Sequence, residues 1–290
     1  MNNRQPVHPC YGDATDGNVT LVANTTLTRD MQYDTLDLAG FSIDTDGFRI
    51  RCRKLLNSGG ACSITRNGGN ASGSTGGSMT GQSLGRGSNG GNGSGGGSNG
   101  SPGIARGNCW GRMRDGGTVC AGGAGGASGG GQNGGGAGTV TAPNANVGQE
   151  GPSAYFEGIL SACGGVDTAT SSLNNLHGGA GGGGGGATAN SIGGGGGCGG
   201  GVLGVWARYV EAPSVTLTAN GGQGGNGNLS TGSGAGGGGG GGGGFVLLVY
   251  QFQKTLPTLQ ALGGSFGTGA GTGSNGSVGT AGSTLTKQVA

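Results

Sequence analysis

The residues in this chain best suited to recognition chemistry sit in two short islands. In residues 104–114, Trp110 stands with Arg106, Arg112 and Arg114 among glycines. In residues 153–160, Tyr155 and Phe156 stand side by side. Aromatic faces suit sugar rings and protein hot spots, and arginine forks suit anionic groups such as phosphates. The same rings would serve equally as buried plugs sealing a glycine-rich body. Arginine is harder to bury, so Arg112 and Arg114 are the sharper test of a binding loop.

Catalytic constellations are hard to assemble. His8 and His177 are the two histidines, and no triad or metal cluster builds around either. Asp44 and Asp46 have the residue types of a glycosidase pair, but carboxylates alternating at a β-turn read as solvated turn residues. Matches to G-x-G-x-x-G are accidental in so glycine-rich a chain, and a nucleotide site needs a strand-turn-helix context that is not visible. No G-K-[ST] exists, which excludes a P-loop. The row Arg49, Arg51, Arg53 reads as a solvated strand face opposite Asp37 and Asp44. A sequence pI of 8.2 from 14 basic and 12 acidic residues does not make a nucleic-acid footprint. We therefore expect no enzyme, no cofactor, no metal and no nucleic-acid partner.

What positions the islands is glycine, 84 of 290 residues, against a usual share of about 7%. Much of it forms pure runs: Gly181–Gly186, Gly193–Gly197, Gly199–Gly201 and Gly236–Gly244. Glycine loses the most backbone entropy on folding and gives nothing to a side-chain core. Such a chain is either a linker or a packing of backbone on backbone. The runs lead straight into apolar strand-like segments, Val202-Leu203-Gly204-Val205-Trp206 and Phe245-Val246-Leu247-Leu248-Val249-Tyr250, which a linker does not need to deliver. Tracts such as Gly122-Gly123-Ala124-Gly125-Gly126-Ala127 fit a polyglycine II helix with three residues per turn, whose backbone groups must bond to neighbouring helices.

Residues 1–65 read conventionally, as short strands of period two broken by the turns Ala39-Gly40 and Thr45-Asp46-Gly47. Leu36, Leu38, Phe41, Ile43, Phe48, Ile50 and Cys52 are expected to point inward. The expected fold is all-β: an N-terminal β-solenoid or small sandwich, then glycine-rich extended strands and polyglycine II helices in an elongated body. Three parts are expected: an N-terminal β-rich domain (1–65), a Gly/Ser/Asn-rich linker or extended element (66–101) and a glycine-rich body (102–290). The body contains an apparent repeat, about 199–225 and 243–267, that aligns Val202 with Val246.

The seven cysteines are odd in number and lack a C-x-x-C pair, which reads as buried small apolar residues. No secretory n- and h-region follows Met1, so signal-peptide export is not expected. The run Phe245–Tyr250 is too short to span a bilayer, and no membrane insertion is expected.

Gly-Gly-X tracts, aromatic islands and a β-rich start together resemble the glycine-rich tail-fibre and spike proteins of tailed bacteriophages. The C-terminal half is similar in style to the distal tail-fibre adhesins of T-even-like phages, and the segment from Asn24 to Ile50 looks like the opening of many glycine-rich virion proteins. The fibre-docking domain of the T-even adhesins has no residue-by-residue match in residues 1–65. The resemblance implies a structural protein on the virion surface, assembled in the host cytoplasm. It would meet other virion proteins and a host cell-surface glycan or outer-membrane component. The two aromatic islands would carry the receptor contacts. Unpaired edges imply a homotrimer, with a monomer capping another fibre protein as the alternative. A capsid decoration or head-fibre protein is the neighbouring reading. An ice-binding or cell-wall glycine-rich protein is the reading from other classes.

Overall fold

In the computed structural model, residues 9–80, 84–104, 106–107, 121–138, 140–141, 178–231 and 233–289 are described. Regular structure among them is strand, apart from a three-residue 3-10 turn at Pro9–Tyr11. The strands are β1 (Asn18–Thr20), β2 (Thr25–Thr26), β3 (Met31–Asp37), β4 (Ile43–Asp44), β5 (Ile50–Leu56), β6 (Cys62–Thr65), β7 (Arg106–Gly107), β8 (Val140–Thr141), β9 (Ser191–Ile192), β10 (Val202–Glu211), β11 (Val215–Thr218), β12 (Asn228–Leu229), β13 (Gly234–Ala235), β14 (Phe245–Thr255), β15 (Thr258–Gln260), β16 (Ala270–Gly271) and β17 (Ser283–Gln288). Among the described residues the fold is all-β.

Two parallel sheets dominate, one in the order β1-β3-β5-β10-β14-β17 and the other β15-β11-β6-β4-β2. Successive strands alternate between them. The turns read from the sequence form where expected, with Ala39 (φ 49), Gly40 (φ 86), Asp46 (φ 44) and Gly47 (φ 86) in the left-handed region. They do not close hairpins, because each sends the chain across to the other sheet. This overturns the expected self-contained solenoid or small sandwich over residues 10–65. β5 and β6 pair onward with β10 and β11 (Cys52 opposite Ala207, Ile64 opposite Leu217), so strands from both sides of the glycine-rich segment share both sheets.

Between the sheets lies a side-chain core. Leu36, Ile50, Cys52, Leu203, Val205, Val246 and Leu248 come from one sheet, and Ile43, Ile64, Val215 and Leu217 from the other. Of the residues expected inward, Leu36, Leu38, Ile43, Ile50 and Cys52 are fully buried, while Phe41 and Phe48 pack partly buried at the margin. On its second face the larger sheet is covered in part by Cys10, Tyr11 and Leu84, which pack with Val202, Trp206, Phe245, Leu247 and Val249. Trp206 fits because Gly204 leaves space: a Cβ there would lie 2.4 Å from the indole.

The two segments aligned as a repeat lie side by side as β10 and β14, one residue out of the expected register. Val202 stands opposite Phe245, not Val246, and Trp206 opposite Val249. A slip of one residue exchanges the two faces of a strand. Alignment by residue likeness placed Trp206 with Tyr250. The structure buries Trp206 on the outer face of the sheet and Tyr250 in the core between sheets.

The glycine tracts form a second, different interior. Residues 193–201 and 236–244 are buried throughout, and their backbone groups bond between tracts at every third residue. Gly194, Gly197 and Gly200 donate to Gly236, Gly239 and Gly242. Gly193, Gly196 and Gly199 donate to Ser94, Gly91 and Ser88, while Gly195, Cys198 and Gly201 donate to Gly73, Gly69 and Arg66. Three faces of one tract thus meet three neighbours. A Cβ on Gly199 would lie 1.8 Å from the Gly179 oxygen, and one on Gly238 would lie 1.9 Å from the Gly195 oxygen. Residues 66–80 and 84–101 belong to this lattice, with Gly68 donating to Asn220 and Ser88 to Gly179.

Where a tract runs short of backbone neighbours, asparagine side chains substitute. The Oδ1 atoms of Asn67 and Asn70 accept from the N–H of Asn220 and Gln223, both at 2.8 Å. Asn220 and Asn226 do the same for Leu262 and Thr268. The tracts continue the strands without losing register: Ala219 donates to Gln260 next to the Thr218–Gln260 pair of β11 and β15.

Candidate functional surfaces

Most of the predicted contact residues lie outside the described residues: Trp110, Arg112, Arg114, Tyr155 and Phe156. Of Arg106 the backbone is described, in β7, where it stands opposite Val140 of β8. The described residues flanking both islands come together. Gly181 donates to Ile104 at 3.3 Å, Gly122 to Gly138 and Gly138 to Gly181, both at 3.0 Å. That end of the lattice adjoins the sheets, since the tracts ending at Gly201 and Gly244 pass directly into β10 and β14.

The opposite end of the lattice carries short turns. Ser94 Oγ donates to the Ser98 carbonyl at 2.6 Å, and Ser128 Oγ bonds to Gln132. The buried hydroxyls of Thr188 and Ser191 both donate to the Gly234 carbonyl at 2.9 Å. β12 pairs antiparallel with β9, placing Asn228 opposite Ile192, and Ile192 and Leu229 are exposed. Segments 87–104, 121–138, 178–207, 212–253 and 255–286 contain no Asp, Glu, Lys or Arg. The turn end is polar, hydroxyl- and amide-rich, and uncharged.

Two arginines of the row, Arg49 and Arg53, are paired, but with other partners than expected. The in-register pairing of β3 with β5 sets Arg49 against Asp30 (2.9 Å) and Arg53 against Asp34 (3.2 Å). Asp37 instead accepts from the Ser58 hydroxyl and the N–H groups of Ser58 and Ala39. Burial works against its charge, and these bonds outweigh it, holding the carboxyl below its usual range. Asp44 caps its own turn by accepting from the Asp46 N–H, and Asp46 holds the buried Arg66 at 2.8 Å. Neither carboxylate is placed as a catalytic partner of the other.

Cys10 is disulfide-bonded, which corrects the reading of every cysteine as a buried thiol. Cys52 and Cys198 do fit it as buried thiols, and burial pushes the Cys52 thiol up.

One surface was missed from the sequence. Tyr209 of β10 stands opposite Phe252 of β14, with the Arg208 guanidinium 6.0 Å above the Phe252 ring. Arg208 Nε donates to Gln251 Oε1 at 3.1 Å and the Tyr209 hydroxyl to Glu211 Oε2 at 3.1 Å, while Lys254 pairs with the other Glu211 oxygen. Its signal lay in the repeat: at the correct register Arg208-Tyr209 falls on Gln251-Phe252.

Among the described residues no helix is long and apolar enough to cross a membrane. No family model, curated protein or solved structure matches the chain.

Proposed function

We propose that the chain is a structural surface protein of a bacteriophage virion, a tail fibre, spike or tip adhesin that contacts a host envelope component. One observation carries this reading: a lattice of glycine tracts, uncharged at its turn end and rooted on two parallel sheets, with its short turns gathered at the end away from them. Bonding at every third residue supports polyglycine II helices, the element of the resembling adhesins. Such a body holds its end turns and islands on a stiff base. Arg106, Trp110, Arg112, Arg114, Tyr155 and Phe156 remain the proposed receptor contacts.

Immunogold labelling of particles tests the assignment. Label at the tail supports it, label on the capsid replaces it with a head-fibre or decoration role, and unlabelled particles end both. Replacing Arg112 and Arg114 together by Ala is expected to leave the particle intact and weaken host adsorption. Unchanged adsorption would make that island scaffold. β17 pairs with β14 on one side only, an open edge that suits closed symmetry. We propose a homotrimer, which sedimentation as a stable monomer would disprove.

A further inference from the structure

We infer that the strip formed by Lys54, Tyr209 and Phe252, with Arg208 and Lys254 beside it, is a binding site for an acidic polysaccharide. The strip arises from a bend shared by neighbouring strands. Ala207 and Val210 both face the core, so Arg208 and Tyr209 between them are left on the outside. Cys52 and Leu55 of β5 do the same to Arg53 and Lys54, as do Tyr33 and Leu36 of β3 to Asp34 and Thr35. Register then sets Thr35, Lys54, Tyr209 and Phe252 in one row across four strands, at a spacing of about 4.8 Å. Phe252 is 52% exposed, which no packing need explains.

The chemistry of the strip narrows its partner. Three cations, Lys54, Arg208 and Lys254, surround it with Glu211 as the nearby carboxylate, whereas Arg49 and Arg53 are matched by Asp30 and Asp34. The local charge favours an anion. β10 is bonded on both sides, to β5 and β14, while β17 pairs with β14 only from Phe245 to Tyr250, so β14 beyond Tyr250 has an open edge. A peptide strand added at that edge would meet backbone, whereas the rings and cations of the strip lie on the face of the sheet. A flat pair of rings with a cationic, hydrogen-bonding rim instead fits a ligand with an apolar ring face and acidic edges. A uronic-acid or sulfated sugar chain has that form.

This site stands apart from the turn end, and binding by the isolated protein does not depend on the virion assignment. The test is affinity electrophoresis of the full chain through gels containing polygalacturonate, with dextran, polyglutamate and oligothymidylate gels alongside. Polygalacturonate is expected to retard the protein, and dextran, polyglutamate and the oligonucleotide to do so weakly or not at all. Phe252→Ala and Arg208→Ala should each weaken retardation about tenfold, with Phe252→Trp restoring it. Both positions are at the surface, and unchanged thermal midpoints will show that the variants fold. No retardation of the parent protein overturns the proposal. So does equal retardation by polyglutamate or oligothymidylate, or folded variants that bind like the parent.

Discussion

The sheets and the glycine lattice solve the same problem with opposite materials. Between the sheets, Leu36, Ile64, Leu217 and Leu248 bury apolar side chains, and backbone pairing is confined to the two sheet planes. In the lattice the backbone itself is the interior, bonded outward in three directions, and side chains are excluded by oxygens about 2 Å from where a Cβ would sit. A side-chain core relaxes around a deletion and tolerates swaps of similar volume. The lattice has nothing to repack: an added methyl meets backbone, which cannot rotate away. The lattice should therefore be the less forgiving region, although its sequence looks the simpler.

The sharpest way to break that contrast is a single methyl. Gly199→Ala places a Cβ 1.8 Å from the Gly179 oxygen, and we expect a loss of about 4 kcal/mol or more, or no folded protein. Gly136→Ala, in a neighbouring tract but with nothing within 4 Å of its Cβ, should stay within about 0.5 kcal/mol of the parent. Denaturant melts of the pair decide the matter, and equal stabilities would refute the packed lattice. Next comes the side-chain core. Leu217→Ala, at a fully buried position, should cost about 2–5 kcal/mol, measured the same way, and Leu217→Met much less.

A smaller effect probes the lattice margin. Asn226→Ala removes the acceptor for the Thr268 N–H, for an expected loss of about 1 kcal/mol and faster amide exchange at Thr268. The smallest effect belongs to the sheet edge. The Arg29 hydrogen bond, more than the Gln32 N–H, holds the Asp16 carboxyl below its ordinary value. A depressed folded pKa gives stability that is complete above the unfolded pKa, about 3.9, and fades as pH falls through the folded value. Thermal midpoints of the parent and Asp16→Asn should therefore converge below about pH 4 and differ above it. A gap that stays constant with pH would deny the ion pair its role.

Much of this was legible in the sequence. Period-two alternation picked out Leu36, Leu38, Ile43, Ile50 and Cys52 as inward residues, because the pleat stays regular over those stretches, but it did not show β3 beginning at Met31 or β5 running on to Leu56. The ordered nature of the tracts followed from the apolar segments they deliver. Pairing partners were not legible. Ala39-Gly40 and Asp46-Gly47 carry the residues of hairpin turns, yet a turn fixes only a local reversal and not which strand is met afterwards. The repeat was aligned by residue likeness, Trp206 with Tyr250, when in-register residues share a face and not a size. That one-residue slip concealed the Tyr209–Phe252 row. The role of Asn67, Asn70, Asn220 and Asn226 was not legible, since their task of completing a neighbour's backbone exists only once the tracts are side by side.

The three-way bonding of the tracts gives them something like a reading frame. Each tract residue belongs to one of three phases, and each phase faces one neighbour, as Gly194, Gly197 and Gly200 face Gly236, Gly239 and Gly242. Inserting or losing one glycine advances every later residue by a third of a turn. That would swing residues such as Asn226 from the surface into spaces that admit no Cβ. A change of three residues restores the phase and only lengthens the tract. Related chains are thus free to vary in reach by whole turns, carrying their end loops nearer or farther while the interior stays in phase.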